Sequence, residues 1–341
     1  MTGLIDLASQ TFGQVQQMLF EHLVEPLLQR LGEGGWAEDA FDATGWLLVG
    51  TLEIAALLLL VRPLERWRPV EAVTDRAAVR VDIVYTLIHR LGLVQLAIFF
   101  LLQPTLDAGA AWMRDRGWPT WQLDAMFATA WPGVTDAPLF AFAIYLLVFD
   151  LLDYAIHRAQ HRLAWWWTLH AVHHSQRQMT LWSDDREHLL DDVIRATVFA
   201  LVARLVGVAP AQYVALVALT PLVQSLSHAN VRLGFGWLGD RLLVSPRYHR
   251  IHHAAEMPWR GDSTSVPLSC NYAALFPIWD VLFRSARFEG GAAPTGIRDQ
   301  SFEHGGRDYG RGFWAQQALA FDRLRLVLAG RRRLHPWIRH D

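Results

Sequence analysis

The sequence predicts an all-α integral membrane protein in which a transmembrane helix bundle carries a cytoplasmic, histidine-rich cap. Hydrophobic residues make up 52% of the 341 residues, and they are concentrated in long runs, as in helices that cross a membrane. Ten of the 15 histidines lie between His157 and His253. Histidine is the commonest metal-binding side chain. This density therefore indicates a metal site that follows the first three apolar runs.

The first element is a predicted amphipathic helix at residues 4–31, kinked at Pro26 because proline interrupts the helical hydrogen bonds. Its apolar side chains recur at helical spacing, which fits a helix on a membrane surface and an ordinary packed helix equally well. A Gly-rich, acidic linker follows, so residues 1–45 form an N-terminal helix and linker.

Three apolar segments follow, at residues 46–61, 83–105 and 138–152, and each approaches the length of a membrane span. The first two, with their connecting loop, make up the region 46–137. Arginines outnumber acids in residues 62–80, which places that loop in the cytoplasm by the positive-inside rule. The third segment then returns the chain to the cytoplasm, where the histidines begin.

Two shorter apolar helices, at residues 193–206 and 211–227, are predicted to form a hairpin that crosses or enters the membrane and returns to its starting side. The hairpin brings His228 back to the earlier histidines. Residues 138–290 are therefore predicted to be one histidine-rich domain. A C-terminal amphipathic helix and a basic tail occupy residues 291–341.

Composition excludes several classes of site. The net charge is −2, so nothing indicates nucleic-acid binding. The single cysteine, Cys270, allows no disulfide within the chain, no iron–sulfur cluster and no cysteine-based zinc site. All 31 basic residues are arginine, a bias typical of a GC-rich bacterial genome. A multi-pass protein of the bacterial inner membrane, with its histidines facing the cytoplasm, is the predicted localisation.

The histidines are grouped at ligand-like spacings. The sequence HRAQH places two histidines four residues apart, on one face of a helix. The sequences HAVHH and HRIHH share a second spacing, in which the last histidine lies about 100° further round the helix. With two single histidines, the candidate metal ligands are His157, His161, His170, His173, His174, His188, His228, His249, His252 and His253. Asp153, one turn before His157, is predicted to accept the free ring N–H of that imidazole.

Ten imidazoles exceed the roughly four to six ligands that one first-row ion takes, so the sequence predicts two metal ions. Imidazole suits iron, zinc, copper or nickel. Iron is favoured because the ligands suffice for two ions. It is also favoured because a site at the end of a membrane helix bundle can receive a lipid chain from the bilayer and electrons from the cytoplasm.

Six motifs together resemble the membrane-bound fatty acid hydroxylase/sterol desaturase superfamily. They are DYAIHRAQH at 153–161, WWTLHAVHHS at 166–175, REH at 186–188, HAN at 228–230, SPRYHRIHH at 245–253 and NYAALFPIWDVLF at 271–283. Their order and spacing agree with the family over about residues 138–284. The resemblance implies a non-haem di-iron centre held by the ten histidines, in a cytoplasmic catalytic cap on a helical membrane core.

The leading hypothesis is an O₂-dependent di-iron oxidoreductase that hydroxylates or desaturates a C–H bond of a lipid, in lipid or sterol metabolism. Hydroxylation is preferred because it needs only one hydrogen abstraction. The lipid substrate would come from the bilayer. Electrons would come from a separate donor of the cytochrome b5, ferredoxin or rubredoxin type with its reductase.

The alternative is a membrane metal-binding protein without redox activity, such as a zinc or iron transporter or sensor. Transport sites lie within the bilayer on the spanning helices. Most of these histidines are predicted to lie outside the spans, which counts against transport.

Overall fold

The computed structural model describes residues 2–118, 121–133, 138–208, 210–255, 269–290 and 293–330. These residues contain helices and loops and no strand; an isolated bridge pairs Ala254 with Thr295. The all-α prediction is thus confirmed. The helices are α1 (Thr2–Leu19), α2 (Glu25–Leu31), α3 (Ala37–Ala56), α4 (Arg62–Trp67), α5 (Arg76–Arg90), α6 (Leu93–Asp115), α7 (Leu123–Ala130), α8 (Pro138–Arg162), α9 (Ala164–His174), α10 (Leu189–Val206), α11 (Pro210–His228), α12 (Gly236–Leu242), α13 (Pro246–His252), α14 (Ile278–Leu282) and α15 (Phe313–Leu328).

The predicted N-terminal helix is interrupted where the sequence contains its proline. A π-helical turn, Phe20–Val24, joins α1 to α2 directly before Pro26, as expected where a proline removes a hydrogen bond from a continuing helix. The linker is shorter than predicted. A short 3₁₀ turn, Gly34–Trp36, leads directly into α3, so the second half of the predicted linker is helical.

Two helices among the described residues are long and apolar enough to cross a membrane. One runs over Gly34–Trp67, where a π-helical turn joins α3 to α4, and the other over Leu139–Arg162 within α8. The segment predicted at residues 83–105 is not continuous. Gly92, with φ of 82°, separates α5 from α6, because only glycine adopts this left-handed conformation without strain.

The end of α5 belongs to the protein interior, which sequence hydropathy did not predict. Arg90 is buried and bonds three carboxylates, those of Glu53 at 2.9 Å, Asp184 at 3.2 Å and Asp185 at 3.0 Å. Buried charges of this kind are stable only when paired and hydrogen-bonded. Gly50 allows the contact, because a Cβ there would lie 1.5 Å from the Arg90 carbonyl oxygen. This network joins α3 and α5 to the loop before α10.

The predicted hairpin is confirmed as two helices, α10 and α11, with α10 ending at Gly207 and α11 ending at His228. Whether they enter a membrane stays a prediction. The predicted C-terminal helix is confirmed as α15, which packs against α9 and buries Ala320 and Leu324. The basic tail lies outside the described residues. Around the histidines, α9 packs on α8, and α13 packs on α11.

Candidate metal centre

Four helices position the histidines, and the local sequence explains where each helix begins and ends. Helix α8 carries HRAQH in its last turns, and α9 ends with HAVHH. Helix α11 ends at His228. The third motif, HRIHH, begins in α13 and ends at His253, the residue that follows this helix. Helix α13 begins at Pro246 and is capped by Ser245, whose Oγ accepts a bond from the Tyr248 amide at 3.2 Å. Serine followed by proline is a strong start signal for a helix.

The structure brings nine of the ten predicted histidines together, and it divides them into two groups. In each group the ring nitrogens that could bind a metal lie within 4.8 Å of one another. The five-histidine group contains His157, His161, His170, His174 and His252. The four-histidine group contains His173, His228, His249 and His253. All are buried except His157, which is half-buried.

The spacing of the ring nitrogens fits ligands that share one ion. In the four-histidine group, the Nε2 atom of His228 lies 3.1 Å from that of His173 and 2.9 Å from that of His249. In the five-histidine group, the Nε2 atoms of His174 and His252 are 3.1 Å apart. Two nitrogens bound at right angles to an ion, with bonds of ~2.1 Å, are ~3 Å apart. The observed distances match this value.

Several buried ring nitrogens have no hydrogen-bond partner among the described residues. In the five-histidine group these include the Nε2 atoms of His157, His161 and His170. Leaving a buried polar atom unsatisfied costs about 1–3 kcal/mol, so a cluster of such atoms is costly unless something binds them. A metal ion would satisfy the nitrogens that face it. The donor set therefore fits two ions, each held by imidazoles.

Backbone carbonyls fix the orientation of three rings. The Nδ1 atom of His157 lies 2.8 Å from the Tyr272 oxygen, and that of His252 lies 2.6 Å from the Cys270 oxygen. The Nδ1 atom of His228 likewise lies 2.8 Å from the carbonyl oxygen one helical turn before it. Because a carbonyl only accepts, each Nδ1 carries the proton and each Nε2 keeps a free lone pair. This is the tautomer in which Nε2 binds a metal.

Burial keeps these imidazoles uncharged. It lowers the pKa of His173, His249 and His253 well below the usual value, and neighbouring histidines lower it further by charge repulsion. Burial also lowers the pKa of His252 to about 3, although its bond to the Cys270 carbonyl acts in the opposite direction. At neutral pH these rings are therefore unprotonated, as metal ligands must be.

His188 does not join either group, which corrects its prediction as a metal ligand. Its Nδ1 accepts a bond from the Leu190 amide at 3.0 Å, and its Nε2 lies 3.0 Å from the Gln317 carbonyl oxygen. Both nitrogens are thus occupied, since the second must donate to the carbonyl. His188 caps the start of α10 and ties it to α15. The i→i+2 bond to a helix start is invisible in motif spacing alone.

Asp153 also differs from its prediction. It does not bond His157, whose ring proton goes to the Tyr272 carbonyl. Instead the Asp153 carboxylate accepts a bond from Arg195 at 3.0 Å. A buried guanidinium is a stronger partner for a carboxylate than a neutral imidazole, which explains the preference.

Arg195, Asp153 and Glu187 form a polar wall, and the motifs did not predict the part that Arg195 and Glu187 play in it. The wall is part of the lining of a cavity of about 40 Å³, which the histidines of both groups also border. Arg195 bonds Glu187 at 2.6 Å as well as Asp153. Its position in the otherwise apolar α10 was the available signal, since charged residues in apolar helices are often functional. A cavity of this size has room for about three waters.

Comparison with known proteins identifies the histidine-bearing region. Residues 142–285 match the family model described as Fatty acid hydroxylase. The chain contains a fatty acid hydroxylase domain. Its resemblance to the fatty acid hydroxylase/sterol desaturase superfamily is thus confirmed. The hydroxylase domain contains all nine grouped histidines and the polar wall.

Two relatives extend the comparison. Ornithine lipid hydroxylase OlsE of Rhizobium tropici is 26% identical over 240 residues, which cover 69% of this chain and 64% of that protein. Alkylglycerol monooxygenase of Caenorhabditis elegans is 27% identical over 147 residues, which cover 43% of this chain and 27% of that protein. The chain therefore matches less than two thirds of the length of either relative. No solved structure matches the chain.

The family and the fold together indicate membrane association. The hydroxylase domain is similar to enzymes named for lipid substrates, and two helices are apolar and long enough to span a bilayer. The number of spans, the inner membrane and the cytoplasmic orientation stay predictions.

Proposed function

We propose that this protein is an O₂-dependent di-iron oxidoreductase that hydroxylates a C–H bond of a lipid. The observation that carries the proposal is the pair of buried histidine groups inside a fatty acid hydroxylase domain. The names of both relatives describe insertion of oxygen into lipids, which favours hydroxylation over desaturation.

The five-histidine group would hold one iron and the four-histidine group the other. Bound iron would supply the activation of O₂, which side chains alone do not provide. The chain itself supplies orientation and electrostatics. Carbonyl bonds hold His157, His228 and His252 with Nε2 toward the ions. Burial keeps His173, His249 and His253 neutral.

The polar wall has a separate role in the proposal. Glu187 and Asp153 hold the Arg195 guanidinium from two sides, and Arg195 lines the small cavity. A prearranged donor of this kind favours negative charge that develops nearby. A separate protein would donate the electrons.

The test uses the full chain purified in detergent after expression with sufficient iron. We expect roughly two irons per chain, one for each histidine group, and O₂ consumption when a reductant and lipid extract are added. With isotopically labelled O₂, mass spectrometry should find one labelled oxygen in a lipid product. Stoichiometric zinc without iron, in protein prepared without chelators or added zinc, would overturn the proposal and favour a non-redox metal-binding protein.

A further inference from the structure

A second cavity lies between the end of the Gly34–Trp67 helix and the start of α5. Its volume is about 370 Å³, and three arginines line it, Arg62, Arg76 and Arg80. Small-molecule sites typically enclose ~300–1,000 Å³, so this cavity has the size of a ligand site. In the described part of the chain, its lining includes no carboxylate and no histidine.

The arginines of this cavity, hereafter the arginine cavity, are poorly neutralised. Arg76 and Arg80 lie four residues apart on α5, where like charges repel, and neither forms an ion pair with a described residue. Arg62 bonds Glu65 at 2.9 Å. Asp75, beside Arg76, directs its carboxylate to the amide of Ala78 at the helix start. Arg62 is half-buried, and Arg76 and Arg80 are exposed at the protein surface, so uncompensated positive charge lines the cavity where it meets the surface.

The arginine cavity lies at the level expected for lipid headgroups. Arg62 follows directly after an apolar stretch whose Leu59 and Leu60 are 73% and 66% exposed, and Trp67, a few residues on, is 74% exposed. Exposed leucines followed by arginine and tryptophan are typical of a helix that passes from the hydrocarbon into the headgroup region. Apolar side chains, including Trp182, complete the lining, so the cavity offers surface to both a headgroup and the chain attached to it.

One short segment contributes residues to both the arginine cavity and the small cavity beside the histidines. Thr180 and Trp182 line the arginine cavity. Two residues later, Asp184 borders the small cavity beside the histidines and lies 3.2 Å from the Nδ1 atom of His228. A lipid held by its headgroup on one side of this segment would have its chain close to the hydroxylase site.

We propose that the arginine cavity binds the phosphate or carboxylate of an anionic lipid headgroup, and that this lipid is the substrate of the hydroxylase domain. The second half of the inference rests on the proposed function. Guanidinium groups suit this ligand, because their fork of donors matches phosphate and carboxylate oxygens in pairs.

The first experiment measures binding to the iron-loaded full chain in neutral detergent. The probes are dihexanoyl phosphatidate, dihexanoyl phosphatidylcholine and inorganic phosphate. Titration calorimetry measures the Kd of each. Phosphatidate should bind most tightly, and R76Q/R80Q should weaken it by at least about tenfold. The control R30Q/R114Q removes the same charge from exposed arginines outside the cavity and should change the Kd by less than about twofold. Unchanged iron content in both variants would show that the fold is retained.

Three results would overturn the headgroup site. Equal phosphatidate binding in R76Q/R80Q and its control would place the lipid elsewhere. Equal affinity for inorganic phosphate and phosphatidate would assign the cavity to a free anion. Unchanged lipid binding with slower reduction by an electron donor would assign the arginines to docking of an acidic protein.

The second experiment tests whether the bound lipid is the substrate. Lipids from cells that express wild type, R76Q/R80Q or R30Q/R114Q are compared by mass spectrometry. We expect oxygenated anionic lipids with wild type and the control, and a loss of at least about tenfold with R76Q/R80Q. Equal product in all three would overturn the substrate assignment. Absence of any oxygenated lipid from wild type would refute the proposed function, whereas the calorimetry would still decide the headgroup site.

Discussion

At the scale of single residues, the ring nitrogens separate ligands from supporting histidines. His173 presents Nε2 to the four-histidine group, 3.1 Å from Nε2 of His228. His188 instead uses both nitrogens in protein hydrogen bonds. The two residues lie in neighbouring motifs, and the sequence predicts both as metal ligands. Their substitution should nevertheless have opposite effects on metal and stability.

His173→Ala should abolish lipid hydroxylation and weaken iron binding by at least about 10–100-fold, because no neighbouring group can replace the lost nitrogen. Iron content by mass spectrometry and turnover by lipid analysis measure the two effects. The control is His22→Ala, an exposed histidine near the N-terminus. Retained iron with full turnover in His173→Ala would remove His173 from the ligand set.

His188→Ala should leave the iron content unchanged and lower the free energy of unfolding by about 0.5–2 kcal/mol, the usual cost of losing a helix cap. Thermal unfolding together with iron analysis checks this. Loss of one iron per chain from the variant would restore His188 as a ligand and refute its assignment as the cap of α10.

At the scale of helices, the contact between α3 and α5 leaves no room for a side chain at Gly50. Gly50 faces the last residue of α5, and a Cβ at Gly50 would lie 1.5 Å from the Arg90 carbonyl oxygen. That atom is backbone, so it cannot turn aside as a side chain would. The same contact places the Arg90 guanidinium on Glu53 and Asp184. The close approach of α3 to α5 and the buried ion network therefore depend on the same residue, Arg90.

Gly50→Ala should destabilise the protein by about 1–3 kcal/mol, the typical cost of overpacking. Gly13→Ala is the matched control, since nothing lies within 4 Å of a Cβ at that helical position. It should stabilise the protein by roughly 0.5–1 kcal/mol through helix propensity. The two melting temperatures in the same detergent give the comparison, and equal shifts would contradict the close approach of α3 and α5.

At the scale of the whole molecule, burying a cluster of imidazoles in one place couples stability to pH. In the unfolded chain a histidine has a pKa of about 6.5. Burial lowers the folded pKa of His170, His174 and His249 well below that value. Below pH ~6.5 the unfolded state therefore binds protons that the folded state does not, and stability falls as the pH falls.

We expect the metal-free protein to lose stability steadily from about pH 6.5 downward, by up to about 1.4 kcal/mol per pH unit for each such histidine. Denaturant unfolding between roughly pH 5 and 8 measures the slope. His173→Asn, which replaces one buried imidazole with a group that does not titrate, should reduce it, and His22→Ala should not. An unchanged slope in His173→Asn would contradict a neutral, buried His173.

Sequence alone determined the helical class and the histidine motifs, because both depend on local periodicity. The spacing of four residues places His157 and His161 on one helix face, and both belong to the five-histidine group. The expected pairing of His170 with His173 was wrong, because His170 shares its group with His174. The motifs with these spacings also carried the resemblance to the superfamily, and the family model confirms that resemblance over residues 142–285.

Only the tertiary structure decided how those motifs combine. The neighbours His173 and His174 belong to different groups, because α9 packs between partners that come from distant parts of the chain. The packing also keeps His188 out of both histidine groups. It pairs Asp153 with Arg195 and brings the Tyr272 carbonyl to His157. Such contacts join residues up to 129 positions apart. Local periodicity contains no information about contacts at that separation, since they depend on how the whole chain packs.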